Sequence, residues 1–303
     1  MSETIETLSR KIERAGMLRS VVRTMKTLAA SSIRQYEDAV RSLEDYYDTV
    51  ELGLAVSLSR EPKRAVGRPG PLKRVAIVFG SDQGLVGQFN DVLSTKVAGE
   101  YQDDAAEPTI LAVGERVHAR LSEDAAPPEE LYLVPSSVGA ITGLVSALLA
   151  RTEAILEEHH GIEVTLFFNS PESGERYRPT QSRILPLDET WKERLRDRRW
   201  PSRTIPQLIG EPLDLQRSLL GEYLFVSLFR ASAESLASEN SSRLAAMQRA
   251  EKNIDDILDS LMHRYHRRRQ SMIDEELFDV VSGFTALGGA ERKEKRGNGG
   301  GTY

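Results

Sequence analysis

The chain has 303 residues, 28% charged and 40% hydrophobic, with a net charge of −6; this allows one large or two modest units and gives no bulk electrostatic pull toward nucleic acid. It contains no cysteine, which excludes disulfide staples, thiolate metal sites and cysteine nucleophiles. No apolar run reaches the ~18–20 residues of a membrane span, and Met1-Ser2-Glu3-Thr4 has neither the basic region nor the apolar core of a secretory signal.

The first predicted element is a long helix over residues 1–60. Apolar positions recur at Ile5, Leu8, Ile12, Ala15, Leu18, Val22, Met25, Ala29, Ile33, Tyr36, Val40, Leu43, Tyr47, Val50 and Leu54. The steps are threes and fours, the spacing of a narrow coiled-coil seam. No proline precedes Pro62 to break it. Residues 60–71, rich in Pro, Gly and basic side chains, read as a linker.

The period then changes. Short apolar runs at 74–80, 109–113, 131–134, 162–168 and 176–185 predict five strands. Helical patterns at 89–101, 115–121 and 141–159 fall between the first four. Such alternation predicts a Rossmann-like α/β domain over 72–187, a parallel sheet with helices on its faces and a hairpin at one edge. Residues 188–211 are polar and basic with two prolines, and Pro212 follows directly, a connector. A second long helix follows over 212–287, carrying Leu219, Tyr223, Val226, Phe229, Ala233, Leu236, Leu244, Met247, Ile254, Ile257, Leu261, Tyr265, Met272 and Val280 on its stripe. Residues 288–303 are poor in apolar side chains and rich in glycine, and read as a disordered tail.

Helices of about 80 Å and 110 Å cannot bury their stripes alone. Winding around each other as an antiparallel coiled coil satisfies both, which predicts a rod carrying a globular knob.

Few motifs carry chemistry. Gly80-Ser-Asp-Gln-Gly-Leu-Val-Gly-Gln-Phe-Asn90 lies between a strand and a helix. Its backbone amides could cradle a phosphate, or it is a tight turn in which Asp82 or Asn90 caps a helix. It lacks the lysine and spacing of a nucleotide fingerprint. Asp259, His263 and His266 lie one turn apart along a helix, a poor cage for a metal beside arginines. His159-His160 ends a helix, where it can meet the last carbonyls. The cluster Arg264, Arg267, Arg268 and Arg269 would band a rod with positive charge. It reads either as a solvated surface or as a contact for an acidic partner loop.

Three ordered blocks resemble the gamma subunit of F-type ATP synthases. Leu8-Ser-Arg-Lys-Ile12 with Arg23-Thr-Met-Lys-Thr-Leu-Ala-Ala-Ser31 is the first, and Ser81-Asp-Gln-Gly-Leu-Val-Gly-Gln-Phe-Asn90 the second. The third is Ala237-Ser-Glu-Asn-Ser-Ser-Arg-Leu-Ala-Ala-Met247, followed by Asn253, Arg269-Gln270 and Ile273-x-x-Glu-Leu277. Arg183-Ile-Leu-Pro-Leu187 resembles the end of the family's central domain. The resemblance implies a rotor shaft, one copy per assembly, without catalytic residues, cofactor or metal of its own. It implies a ring of alpha and beta subunits around the paired helices. It also implies a foot domain that binds the epsilon subunit and the membrane c-ring, driven by protons or sodium. The chain would then lie peripherally on the cytoplasmic face of a bacterial inner membrane, touching the membrane only through partners. By position, Arg23, Met25, Glu239, Arg243, Arg268, Arg269, Gln270 and Glu276 match ring-contact positions. Asp82, Gly84, Gly87 and Asn90 match the structural turn of the foot. Val22, Ser32, Val86, Met272 and Asp274 depart from the family pattern, which marks a divergent member. The competing classes are a coiled-coil tether and a nucleotide-dependent enzyme built on the Rossmann-like core.

Overall fold

The computed structural model describes residues 3–59, 72–102, 107–124, 127–159, 161–172, 176–187, 189–198, 200–204, 206–207 and 209–297. The expected linker at 60–71 and His160 lie outside these. Contacts divide the chain into two compact units, Met1–Thr24 with Gln248–Tyr303, and Met25–Met247.

The element order is α1 (Ile5–Ser59), β1 (Lys73–Phe79), α2 (Phe89–Tyr101), β2 (Thr109–Val113), α3 (Glu115–Asp124), β3 (Glu130–Tyr132), α4 (Val138–Glu158), β4 (Ile162–Pro171), β5 (Tyr177–Leu185), α5 (Glu189–Arg196) and α6 (Pro212–Gly297).

In the larger unit the strands form one sheet in the order β3-β2-β1-β4-β5. The first four are mutually parallel, and β5 closes an antiparallel hairpin with β4 at the edge. Both faces of the parallel part are buried, so its strands are continuous apolar runs rather than alternating ones. Val75, Ile77, Phe79, Leu111, Val113, Val164, Leu166 and Phe168 pack toward α4 and α6. Ala76, Val78, Ile110, Ala112 and Phe167 face the other way, onto Phe89, Leu93 and Val97 of α2 and Val117 and Leu121 of α3. The result is three layers, with α1 joining the α6 side through Tyr36.

By length and composition α4 could cross a membrane, with a mean hydropathy of 1.4 in its most apolar window. Its apolar face is core: Ile141, Leu144, Val145, Leu148 and Ile155 lie in the cluster on the sheet.

Within this unit α1 and α6 run antiparallel. Tyr36 neighbours the stretch around Glu239, Tyr46 donates to Glu222 at 2.6 Å, and Gly53 lies against Leu219. A rising number on α1 thus meets a falling one on α6. From Ala231 to Asn240 every residue of α6 is buried, all round the helix. That requires small side chains on the sides where other elements come close, and Ala231, Ser232, Ala233, Ser235, Ala237 and Ser238 supply them.

The segment 188–211, expected as a connector, holds the short helix α5. Leu195 is buried, and Trp191 stacks at 4.9 Å from Tyr223, in a cluster with Val50, Leu54 and Leu58 of α1. Arg198 closes the strap with ion pairs to Asp48, at 3.0 Å, and Glu51.

In the smaller unit the antiparallel pairing is carried by ions. Arg19 meets Asp255 and Arg23 meets Glu251, both at 2.7 Å, and Glu3 binds Arg264 and Lys11. Leu8, Ala15 and Leu261 form the buried apolar positions. Beyond Leu287, where the sequence places the helix end, α6 continues to Gly297. Ala290, Glu291, Arg292, Lys293, Glu294, Lys295 and Arg296 are all good helix formers, and that preference outweighs the shortage of apolar side chains. Residues 298–303 of the expected tail lie outside the description.

Candidate functional site

The glycine-rich segment after β1 is a structural turn, held by side chains and by close approaches at two glycines. The left-handed backbone falls on Leu85, at φ 63°, and Gly87, at φ 59°. Gly84 is not required by φ, and a Cβ there would meet only Arg116 at 3.8 Å. The decisive glycines are others. A Cβ at Gly80 would lie 2.2 Å from Val117, and one at Gly114 would lie 2.7–2.8 Å from the backbone of Ser81. The β1–α2 and β2–α3 turns therefore meet backbone to backbone at Gly114, and Gly80 makes room for the Val117 side chain.

Asp82 and Asn90 hold this junction, although neither caps α2. The Asn90 amide accepts from the Ser81 N–H at 3.1 Å and donates to the Ser81 hydroxyl at 2.9 Å. One Asp82 oxygen accepts the Glu115 N–H at 3.0 Å, the start of α3; the other accepts the Val134 N–H at 2.9 Å. A carboxylate at a helix N-terminus is favoured by the exposed amides and the helix dipole. Replacing Asp82 with Ala strands both amides, and we expect a stability loss of about 1–3 kcal/mol in chemical denaturation. An unchanged midpoint would remove Asp82 from this role.

The carboxyl ends of the strands are where open α/β sheets bind ligands, at the point where strand order reverses. Here that crevice is filled by the chain's own α6. Ser235 donates to the carbonyl of Phe79, the last residue of β1, at 2.9 Å, and Ser242 donates to the carbonyl of Val86 in the turn. The phosphate-cradle alternative loses its space to a helix.

Beside this plug lies a polar cavity of about 270 Å³, lined by Ser32 and Tyr36 of α1, Asp82 and Gln83 of the turn, Val134–Ser136 after β3, and Leu236, Glu239, Asn240 and Arg243 of α6. Glu239 is only 5% exposed. Arg243 binds its Oε1 at 2.5 Å, while Oε2 has no hydrogen-bond partner among the described residues. Burial pushes the Glu239 carboxyl up, Arg243 pulls it back, and the negative Asp82 adds to the rise. Burial, with the charge of Glu239, also raises the Tyr36 phenol.

The structure thus brings Asp82, Glu239 and Arg243 together, with Asn90 behind them. Arg23 belongs to the other unit, paired with Glu251; Met25 is half-buried. Arg268 sits 4.0 Å from Glu275, and Arg269, Gln270 and Glu276 are exposed on α6. Ser235, Ser242, Gly80 and Gly114 were not singled out from sequence. The serines recur seven apart within a stretch whose one large apolar residue is Leu236, a legible sign of close packing.

A paired-helix protein whose α/β domain has its ligand crevice filled by its own helix is a structural subunit, with no site for nucleotide chemistry at that crevice. The family model described as ATP synthase matches residues 4–287. The chain belongs to that family, as a divergent gamma chain. It is 27% identical over 294 residues to the "ATP synthase gamma chain" of Jannaschia sp. strain CCS1, covering 93% of this chain and 99% of the relative. It is 28% identical over 302 residues to that of Geobacter metallireducens, covering 94% and 99%. Among solved structures, a chain of the Euglena gracilis mitochondrial ATP synthase OSCP/F1/c-ring assembly superposes with a TM-score of 0.61 at 16% identity, covering 95% of each chain. A chain of the Tetrahymena thermophila central stalk/c-ring gives 0.55 at 18% identity, covering 76% of this chain and 99% of that one. These two likenesses concern the fold.

Proposed function

We propose that this chain is the central rotor shaft of a rotary ATP synthase. It couples rotation of a membrane ring to ATP synthesis or hydrolysis in a ring of alpha and beta subunits, and it performs no catalysis itself. The observation that carries the mechanical reading is the stretch of α6 from Ser271 to Gly283. Every residue there is exposed, and Ile273, Leu277, Phe278 and Val280 are among them. Large apolar side chains exposed together on one helix call for a cover, and the enclosing ring supplies one. Arg23, Met25, Arg268, Arg269, Gln270 and Glu276 are the side chains we assign to contacts with that ring. In the larger unit Glu239 is buried and Arg243 only partly exposed, so a partner reaches them through the cavity. The α/β domain would serve as the foot that meets the epsilon subunit and c-ring. The chain is peripheral to the membrane, and we place it on the cytoplasmic face of a bacterial inner membrane.

Reconstitution tests this. Co-expressed with its own alpha and beta subunits, the chain should enter a complex in one copy, and ATP hydrolysis should depend on it. A complex equally active without the chain, or a chain that stays out of the ring, would sink the proposal. In the same assay, deletion of residues 288–303 should leave assembly intact; failure to assemble would make that segment part of the bearing.

A further inference from the structure

We propose that the polar cavity beside Glu239 is a binding site for a primary ammonium group, supplied in the working complex by a lysine of a partner subunit. The partner half of this rests on the rotor reading; the cation site itself does not.

The argument starts from unmet demand. Among the described lining residues, the formal charges are two carboxylates, Asp82 and Glu239, against one guanidinium, Arg243. Arg243 is already committed, to Glu239 Oε1 at 2.5 Å and to the Asn240 side-chain oxygen at 3.4 Å. Glu239 Oε2 is left buried with no donor among the described residues. An ionised oxygen in that position is disfavoured unless a donor reaches it. The surplus in the cavity is therefore negative charge and acceptor capacity, and what complements it is a cation bearing N–H groups.

Geometry narrows the class. Asp82 gives each of its oxygens to a backbone N–H, and Glu239 offers only one free oxygen. A guanidinium seeks two parallel acceptors on one carboxylate, and that arrangement is taken. An ammonium is a compact point charge with three donors on a narrow flexible stem. The hydroxyls of Ser32 and Tyr36 line the same space and can accept from its remaining N–H groups. Gln83 and Ser136, also on the lining, are exposed while Glu239 and Asn240 are buried. The site is thus open to solvent on one side and deep on the other, which suits a lysine stem.

The probe is methylammonium chloride, added to the purified full chain with isotope-labelled Val and Leu methyl groups. Val134 and Leu236 line the cavity and serve as reporters. Their resonances should shift saturably with methylammonium and not with tetramethylammonium, which has no N–H, at equal ionic strength. Glu239→Gln keeps the shape and the acceptor for Arg243, and should weaken the methylammonium response tenfold or more. Equal responses to the two cations, or an undiminished response in the Gln variant, would overturn the site. The same titration on the assembled complex addresses the source. A reporter response abolished by assembly supports a partner lysine; a response that persists overturns the partner and leaves a site for free cations. If the chain fails to assemble at all, the rotor reading fails, and the isolated-chain titration still decides the site.

Discussion

Gly114→Ala is expected to cost about 3 kcal/mol or more, and to be among the most damaging single-methyl additions in the chain. Gly114 has φ +116°, a region that L side chains rarely adopt, and forcing one there costs about 1–2 kcal/mol. The new Cβ would also sit 2.7 Å from the Ser81 carbonyl oxygen and 2.8 Å from its nitrogen. Those are backbone atoms that cannot rotate away, and overpacking of this kind adds about 1–3 kcal/mol. Relief would have to come from separating the turns after β1 and β2. That motion breaks the bonds from Arg116 N–H to Ser81 C=O, 2.9 Å, and from Glu115 N–H to Asp82. The check is urea unfolding of the full chain, with Gly139→Ala as control, since a Cβ there meets nothing within 4 Å. Equal midpoints for the two variants would refute the close approach.

The second large effect is Arg243→Ala. Its guanidinium and the Glu239 carboxylate have side-chain exposures of 14% and 6%, so the pair is shielded from solvent. Removing the cation leaves a buried carboxylate without compensation, a loss of about 3–5 kcal/mol where the acid must stay ionised. The pH dependence gives the signature. The Glu239 carboxyl is already raised above its ordinary value by burial, and loss of Arg243 raises it further. A group raised in the folded state holds its proton where the unfolded chain has lost it. Its contribution to stability is then fully present below the ordinary carboxylate range and lost as pH rises through the folded value. The Arg243→Ala deficit should therefore be small in acid and grow toward neutral pH. Adding Glu239→Gln should restore most of it at neutral pH. A deficit independent of pH would mean that Arg243 acts through packing alone.

Much of the architecture was legible because its signals are local. The expected bounds 89–101 for α2 and 109–113 for β2 agree with the structure, since an amphipathic helix and a doubly buried strand announce themselves by period and composition. The strap α5 escaped because only Trp191 and Leu195 mark its apolar face, in a segment otherwise charged and proline-punctuated. Read with Leu187, they recur every four residues, a pattern too short to stand out alone. At the candidate site, Asp82 and Asn90 were found by position, but their partners were not. Asp82 bonds to Val134, 52 residues away; no local spacing reports such a bond. Gly80 and Gly114 matter because two turns distant in sequence meet, and only the sheet order brings them together. Glu239 and Arg243 look like a surface i,i+4 pair in sequence, and what changes their chemistry is burial by α1 and the β-strand turns.

The ion pairs of the smaller unit have a mechanical consequence. They run from Arg23 with Glu251 to Glu3 with Arg264, while α6 continues past that last tie to Gly297. Over roughly 50 Å, at about 1.5 Å per residue, no described α1 residue accompanies it, and from Ser271 to Gly283 every residue is exposed. A lone helix twists and bends more readily than a braced pair. Within this unit, resistance to twist therefore falls along α6: the paired part is stiff, and the end that runs on alone yields more readily.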